Sequence, residues 1–209
     1  MDHLQQLIER YPQLYSVKDE IKKAFLVIVK TFEKNGKLLI AGNGGSSSDS
    51  EHIVAELMKG FVIKRRLPDP FSDKLRIIDS EIADYLLPRL QPGLPAISLS
   101  SHPSLNTACI NDIDGNICFS QQLYSYANEY DTLLGISTSG NSRNIIYTAV
   151  TAKAKGLKVI ALTGSDGGRL KDFADVSIIV PEKETYKIQE LHLPIYHCLC
   201  LMLEEHFFK

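Results

Sequence analysis

The chain has 209 residues, a hydrophobic content of 44%, a charged content of 23% and a formal net charge of −2. This length suffices for one full hydrophobic core, so we interpret residues 1–209 as a single domain. The charge balance excludes the strongly basic surface that proteins use to bind nucleic acid or anionic membranes. No apolar stretch reaches the length of a membrane span. We therefore expect neither nucleic acid nor membrane as a partner.

The first residues lack the basic and apolar regions of a signal peptide. Four cysteines are present, none of them in a C-x-x-C pair: Cys109, Cys118, Cys198 and Cys200. This pattern is typical of reduced, partly buried thiols in a cytoplasmic protein.

In chain order, an N-terminal helical segment (1–36) contains an amphipathic helix at 17–33, which stops at Asn35-Gly36. Five short apolar runs then predict strands: 37–42, 95–100, 132–137, 158–163 and 176–181. Most are nearly continuous in Leu, Ile, Val and Ala, as in parallel strands covered on both faces. Further helices are predicted at 142–156 and 185–208. The alternation predicts an α/β fold with a five-stranded parallel sheet in the flavodoxin-like order 2-1-3-4-5.

Residues 62–94 interrupt this alternation, and we call them the excursion. They are too long for a plain connection between a helix and a strand. The basic run 64–66 predicts a solvent-exposed loop, and 74–87 predicts one amphipathic helix. Its apolar stripe comprises Leu75, Ile78, Ile82, Leu86 and Leu87. Such a stripe needs cover, so we expect the excursion to contact another subunit or the mouth of a site.

Two loops of small residues follow the first and third predicted strands. The first, 41–48, is rich in Gly and Ser, but it lacks both the spacing of a dinucleotide fingerprint and the Lys of a P-loop. The second, 137–142, contains four hydroxyl groups, although capping of the next helix needs only Asn141 or Ser142. In the predicted strand order both loops lie at the switch point where α/β sheets bind ligands. Together they predict a phosphate site.

His52 and Glu56 are four residues apart, which places both side chains on one face of a helix. This spacing suits a metal site or an acid/base pair, although a histidine there could equally be a core residue. The last predicted helix carries Gln189, His192 and His197. Pro194 removes one hydrogen bond from this helix and is expected to kink it.

These motifs occur in one order along the chain: 42–46, His52-x-x-x-Glu56, 135–142, 162–164 and 188–192. Together they resemble the sugar isomerase (SIS) domain, and within it the phosphoheptose isomerase branch. The resemblance implies a homotetramer that converts sedoheptulose 7-phosphate to D-glycero-D-manno-heptose 7-phosphate, a precursor of bacterial surface glycans.

The resemblance also implies roles for individual residues. It makes Glu56 and His197 the catalytic pair. The implied metal site holds one zinc ion per subunit through His52, Glu56, Gln189 and His197. The implied substrate contacts are Asn43, Gly44, Gly45, Glu56, Asn111, Asp112, Ser137, Thr138, Ser139, Ser142 and Gln189.

The chain departs from the family pattern in two places. The excursion is longer than the family's usual link. The helix carrying His52 and Glu56 ends in Lys59-Gly60-Phe61, where the family has Gly-Arg-aromatic. Lys59, Lys64 or Arg65 could replace that arginine near the substrate.

Three other functions fit a SIS domain. An isomerase for another sugar phosphate is compatible with the unusual excursion. A non-catalytic adaptor that binds a replication initiator would lack the Glu56–His197 pair. A sugar-phosphate sensor would need a DNA-binding domain, for which the residues before the first strand leave little room.

Overall fold

The structure is a computed structural model that describes residues 2–209, and its centre is a five-stranded parallel sheet. The strands are β1 (Leu38–Ala41), β2 (Ala96–Ser98), β3 (Thr132–Ser137), β4 (Lys158–Thr163) and β5 (Val176–Ile179). Their order is β2-β1-β3-β4-β5 and every pairing is parallel. The predicted strand order is therefore confirmed.

Nine α-helices occur along residues 2–209. They are α1 (His3–Arg10), α2 (Lys18–Glu33), α3 (Gly45–Met58), α4 (Asp69–Ile78), α5 (Ser80–Leu86), α6 (Pro103–Asp112), α7 (Cys118–Tyr126), α8 (Arg143–Ala154) and α9 (Thr185–Phe208). Short 3₁₀ turns occupy Pro12–Val17, Gly115–Ile117 and Leu170–Phe173. The helices predicted at 17–33, 142–156 and 185–208 are confirmed within two residues at each end. α9 runs through Pro194 without a break.

The two faces of the sheet bury two separate cores. Successive residues of a strand point to opposite faces. Leu38 and Ile40 accordingly share one core with residues of α1, α2, α3 and α9, whereas Leu39 and Ala41 share the other with residues of α7 and α8. Because both faces are covered, the strands need apolar residues at consecutive positions, which explains the continuous runs in the sequence.

The prediction of a single helix at 74–87 is wrong, because the excursion forms two helices, α4 and α5. The chain breaks at Asp79, whose backbone is extended and whose side chain accepts the N–H of Ile82 at 2.9 Å, capping α5. Two short helices result, and Ile77 and Ile78 are 84% and 82% exposed. The run 64–66 is also not a wholly solvated loop, because Arg65 is buried.

All four cysteines are free and buried, in agreement with the predicted reduced thiols. Burial raises the pKa of the Cys198 thiol to about 12 and also raises that of Cys200. Among the helices of residues 2–209, none combines the length and hydropathy needed to cross a bilayer.

Candidate functional site

The amino termini of α3, α8 and α9 converge on a cavity of about 260 Å³, which we call the cradle. Its wall includes Gly44, Gly45, Ser142 and Thr185, which lie at these helix starts. None of the three N-cap residues makes a side-chain hydrogen bond to its helix. Free backbone N–H groups and the positive ends of helix dipoles favour an anion. The cradle therefore suits a phosphate group.

Three of the four hydroxyl-bearing residues of the second loop line the cradle, and Ser142 does not cap the helix with its side chain. Ser137 donates to the Oγ of Ser142 at 3.1 Å, and Ser137, Thr138 and Ser142 all line the cavity. The two loops are joined by a reciprocal amide pair, in which Asn43 donates to Asn144 at 2.9 Å and Asn144 donates back at 2.8 Å. This pair holds the loops at a fixed separation.

Gln189 projects from the first turns of α9 into the cradle. A Cβ atom on Gly45 would lie 2.7 Å from the Nε2 of Gln189, closer than a side chain tolerates. Glycine at this position therefore allows the amide to lie directly against the first loop.

Four residues with predicted substrate contacts lie outside the cradle wall, and one of them, Glu56, belongs to the second cluster described below. Ser139 is held in a local turn, where its Oγ accepts the N–H of Asn141 at 3.2 Å. Asn111 and Asp112 are exposed at the end of α6 and bond to each other at 2.8 Å. Within one chain these residues do not complete the cradle.

A second cluster lies where α3 packs against α9. The Nε2 of His52 is 3.4 Å from a carboxylate oxygen of Glu56, and the rings of His52 and His197 are 5.0 Å apart. Lys59 places its ammonium 2.7 Å from the other oxygen of Glu56. His52 thus contacts both members of the predicted catalytic pair, Glu56 on its own helix and His197 on a helix far away in the sequence.

A hydrogen-bond relay sets the tautomer of His52. The hydroxyl of Tyr196 donates to Asp49 at 3.2 Å and lies 3.1 Å from the Nδ1 of His52. Because the hydroxyl has only one proton, its oxygen accepts from the Nδ1–H of His52. The Nε2 of His52 then faces the carboxylate of Glu56, so that a proton or a metal cation would be shared between these two atoms.

His197 is half-buried, and its Nε2 is a buried atom without a hydrogen-bond partner. Burial lowers the pKa of its imidazole, and the nearby His52 lowers it further, whereas Glu56 opposes the shift. The ring also contacts Phe61, with 5.5 Å between centroids. A neutral imidazole with a free nitrogen is able to accept or donate a proton.

The cradle and this cluster are separated along the helix pair. Gln189 precedes His197 by eight residues, which corresponds to roughly 12 Å along α9. Gln189 consequently lies with the phosphate loops rather than with the other predicted zinc ligands. Along residues 2–209, no three His, Cys, Asp or Glu side chains form a ready-made metal site.

His192 is fully buried and bonds the carbonyl of Thr163 at 3.3 Å, and burial lowers its pKa to about 4.

Three residues of the site were not predicted from the sequence: Asn144, Thr185 and Tyr196. The contacts of Asn144 and Tyr196 are with partners distant in the sequence, and only these partners reveal them. The position of Thr185 at the start of a helix was the one available signal.

Comparisons with known proteins agree on one family. The SIS domain family matches residues 85–164. A phosphoheptose isomerase from Helicobacter pylori is 37% identical over 194 residues, which cover 93% of this chain and 88% of that protein. One from a Nitratiruptor species is 34% identical over 212 residues, covering 99% and 100%. A solved phosphoheptose isomerase from Francisella tularensis has a TM-score of 0.77 and 30% identity, covering 96% and 94%.

This chain belongs to the phosphoheptose isomerase family. Membership confirms the fold and the enzyme class that the motifs predicted, an aldose–ketose isomerase for a phosphosugar. Of the three cations that could replace the family's arginine, Arg65 is excluded because its guanidinium pairs with Glu204 inside the protein. Lys59 contacts Glu56, and Lys64 is exposed.

Proposed function

We propose that this protein interconverts sedoheptulose 7-phosphate and D-glycero-D-manno-heptose 7-phosphate in the cytoplasm. The observation that carries the proposal is the grouping of Glu56 and His197 around His52, on two helices whose starts help to form a phosphate cradle. An isomerase of this class needs an anion grip, a base beside a carbonyl carbon, and an acid for the oxygens. The chain has a candidate for each.

The chemistry follows from these positions. The phosphate of the substrate binds to Ser137, Thr138 and the helix starts of the cradle. The carboxylate of Glu56 removes a proton from C1 of the ketose, giving an enediolate, and returns it to C2. His197 donates a proton to O2 and accepts the proton of O1, so that the aldose carbonyl forms at C1. Lys59 holds the carboxylate of Glu56 in place through its contact at 2.7 Å.

The decisive experiment replaces each member of the pair. In Glu56→Gln and His197→Gln we expect turnover of sedoheptulose 7-phosphate to fall by about 10²–10⁴ with the fold retained. Glu51→Gln is the matched control, since Glu51 is an exposed residue of the same helix. Incorporation of solvent deuterium into the sugar, followed by NMR, separates proton transfer at carbon from binding. Near-wild-type exchange in either variant would refute the assignment.

We further propose that the working enzyme is a homotetramer. Three observations support this proposal: the distance between the cradle and Glu56 along one chain, the exposed Asn111–Asp112 pair, and the uncovered apolar residues of the excursion. A neighbouring subunit would supply the missing part of each site. Light scattering of the purified protein tests the mass of the assembly.

We also propose a zinc ion at His52, Glu56 and His197. The unpartnered Nε2 of His197 and the approach of the His52 Nε2 to the Glu56 carboxylate support it, and the three side chains would converge further to form a ligand set. Zinc would supply positive charge that stabilises the enediolate. Metal analysis of the purified protein should give one zinc per subunit, and His52→Gln should reduce this amount. Zinc-free protein with full activity would overturn the proposal.

A further inference from the structure

The carboxylate of Glu204, near the end of α9, is buried and receives five N–H groups. It accepts the backbone N–H of Phe61 at 2.7 Å, of Val62 at 2.9 Å and of Ile63 at 3.1 Å. Arg65 adds its Nε at 3.1 Å and its Nη2 at 3.0 Å. Both charged side chains are 1% exposed. We call Arg65 and Glu204 the clamp.

The clamp joins both ends of the excursion to the helix pair. The Nη1 of Arg65 donates to the carbonyl of Leu57 at 2.9 Å, in the last turn of α3, and to that of Pro92 at 3.2 Å. Its guanidinium also lies 4.1 Å from the centre of the Phe208 ring on α9. One side chain thereby connects α3, α9 and residue 92, beyond the far helix of the excursion.

Phe61 is held by the clamp and also contacts His197. Phe61 has the shortest bond to Glu204, and its ring lies 5.5 Å from that of His197 at an angle of 58°. The turn before it requires Gly60, because a Cβ there would lie 2.4 Å from the carbonyl oxygen of Ile63. The backbone conformation from residue 60 to residue 65 is therefore fixed by these contacts.

We propose that the clamp positions His197 for proton transfer by fixing Phe61 against its ring. Glu204 is then a positioning residue: it acts through Phe61 and does not contact the substrate. A buried ion pair adds little net stability compared with an apolar pair of the same shape. Its specific contribution here is the direction of three backbone N–H groups, and hence the placement of one aromatic ring.

The test rests on the proposed function and uses Glu204→Gln, which keeps the shape but places an amide among the N–H donors. We expect kcat to fall by about tenfold or more, because a small misplacement of a catalytic group is costly. KM for sedoheptulose 7-phosphate should change little, because the cradle lies about two helical turns from His197 along α9.

Asp131→Asn is the matched control. Asp131 has a carboxylate that is 1% exposed, and it accepts two backbone N–H groups at 2.8 Å and the ammonium of Lys37 at 2.6 Å. It lies at the amino end of β3, opposite the site. The Asp131→Asn variant should be destabilised as Glu204→Gln is, and its kcat should be unchanged. Arg65→Lys, which retains the charge and loses the planar fork, serves as the second clamp variant if Glu204→Gln does not fold.

Two further measurements decide whether the effect passes through Phe61. Phe61→Leu should lower kcat to a similar extent, and adding Glu204→Gln to it should lower kcat little more. Nuclear Overhauser contacts between the Phe61 and His197 rings should be lost in Glu204→Gln and kept in Asp131→Asn. Unchanged kcat, additive losses or retained ring contacts would overturn the proposal. If the wild type turns over no heptose phosphate, the proposed function fails, and the ring contacts alone decide on the clamp.

Discussion

Replacing Tyr196 with phenylalanine removes a single oxygen atom from the His52 side of the site. That oxygen donates to Asp49 and accepts from His52. Its loss leaves a partly buried carboxylate without a donor and frees the Nδ1–H of His52. The ring itself is 1% exposed and should stay in place, so the core is preserved.

The size of the effect follows from these two lost partners. Leaving a buried polar group unpaired costs about 1–3 kcal/mol, but both partners are only half-buried and water can reach them. We therefore expect the free energy of unfolding of Tyr196→Phe to fall by about 1–2 kcal/mol. For a chain of this length that change corresponds to a decrease in Tm of roughly 2–8 °C.

In free-energy terms, the loss of isomerase activity in Tyr196→Phe should be larger than the loss of stability. Without the hydroxyl, either nitrogen of His52 can carry the proton, and the orientation of its ring is no longer fixed. Loss of such an outer partner typically costs about 10–100-fold in activity. Urea unfolding and the isomerase assay measure the two effects, with Tyr15→Phe, an exposed tyrosine, as the control. A variant with wild-type stability and wild-type kcat would show that the relay does not orient His52.

Three further predictions concern the cradle, the excursion and acid stability. Ser137→Ala removes one hydrogen bond to a charged group, worth about 1.5–3 kcal/mol, so calorimetry should show weaker sugar-phosphate binding by roughly 10–150-fold; equal affinity would exclude this hydroxyl from the grip. Deleting residues 68–91 should change the mass of the assembly or the choice of sugar, and a tetramer with unaltered kinetics would contradict this role. Burial raises the pKa of Glu204, but the hydrogen bonds from Val62 and Phe61 and the bond from Arg65 outweigh it and hold the pKa below its ordinary value of 4.5. The stability that Glu204 supplies is therefore complete above pH 4.5 and is lost as the pH falls through the lower folded value. The difference in unfolding free energy between wild type and Glu204→Gln should accordingly shrink in acid, and a constant difference would contradict the ionised state.

The sheet and the cradle could be predicted because their signals are local. A buried parallel strand needs consecutive apolar residues, and loops that follow β1 and β3 must meet at the switch point whatever the rest of the chain does. The break at Asp79 also has a local signal, since aspartate before a helix start is a typical N-cap, whereas the apolar stripe alone predicts one continuous helix.

The clamp and the relay could not be predicted because their partners are distant in the sequence. Arg65 and Glu204 are 139 residues apart, and Tyr196 and Asp49 are 147 apart. Each residue taken alone looks like an ordinary member of a charged run or an apolar helix. The packing of α3 beside α9 brings Asp49 and Tyr196 together, and the path of the chain after α3 brings Arg65 to Glu204. The sequence pattern predicts the helices but not how they align.

The burial of all four thiols makes the folded protein a poor target for alkylating reagents. The nucleophile is the thiolate, and burial raises the pKa of Cys118, Cys198 and Cys200 well above neutrality. Alkylation of these thiols therefore requires a transient opening of the fold, and its rate reports how often such openings occur. A thiol reagent added to the native enzyme would measure how often the helices on either side of the sheet separate from it, without any introduced label.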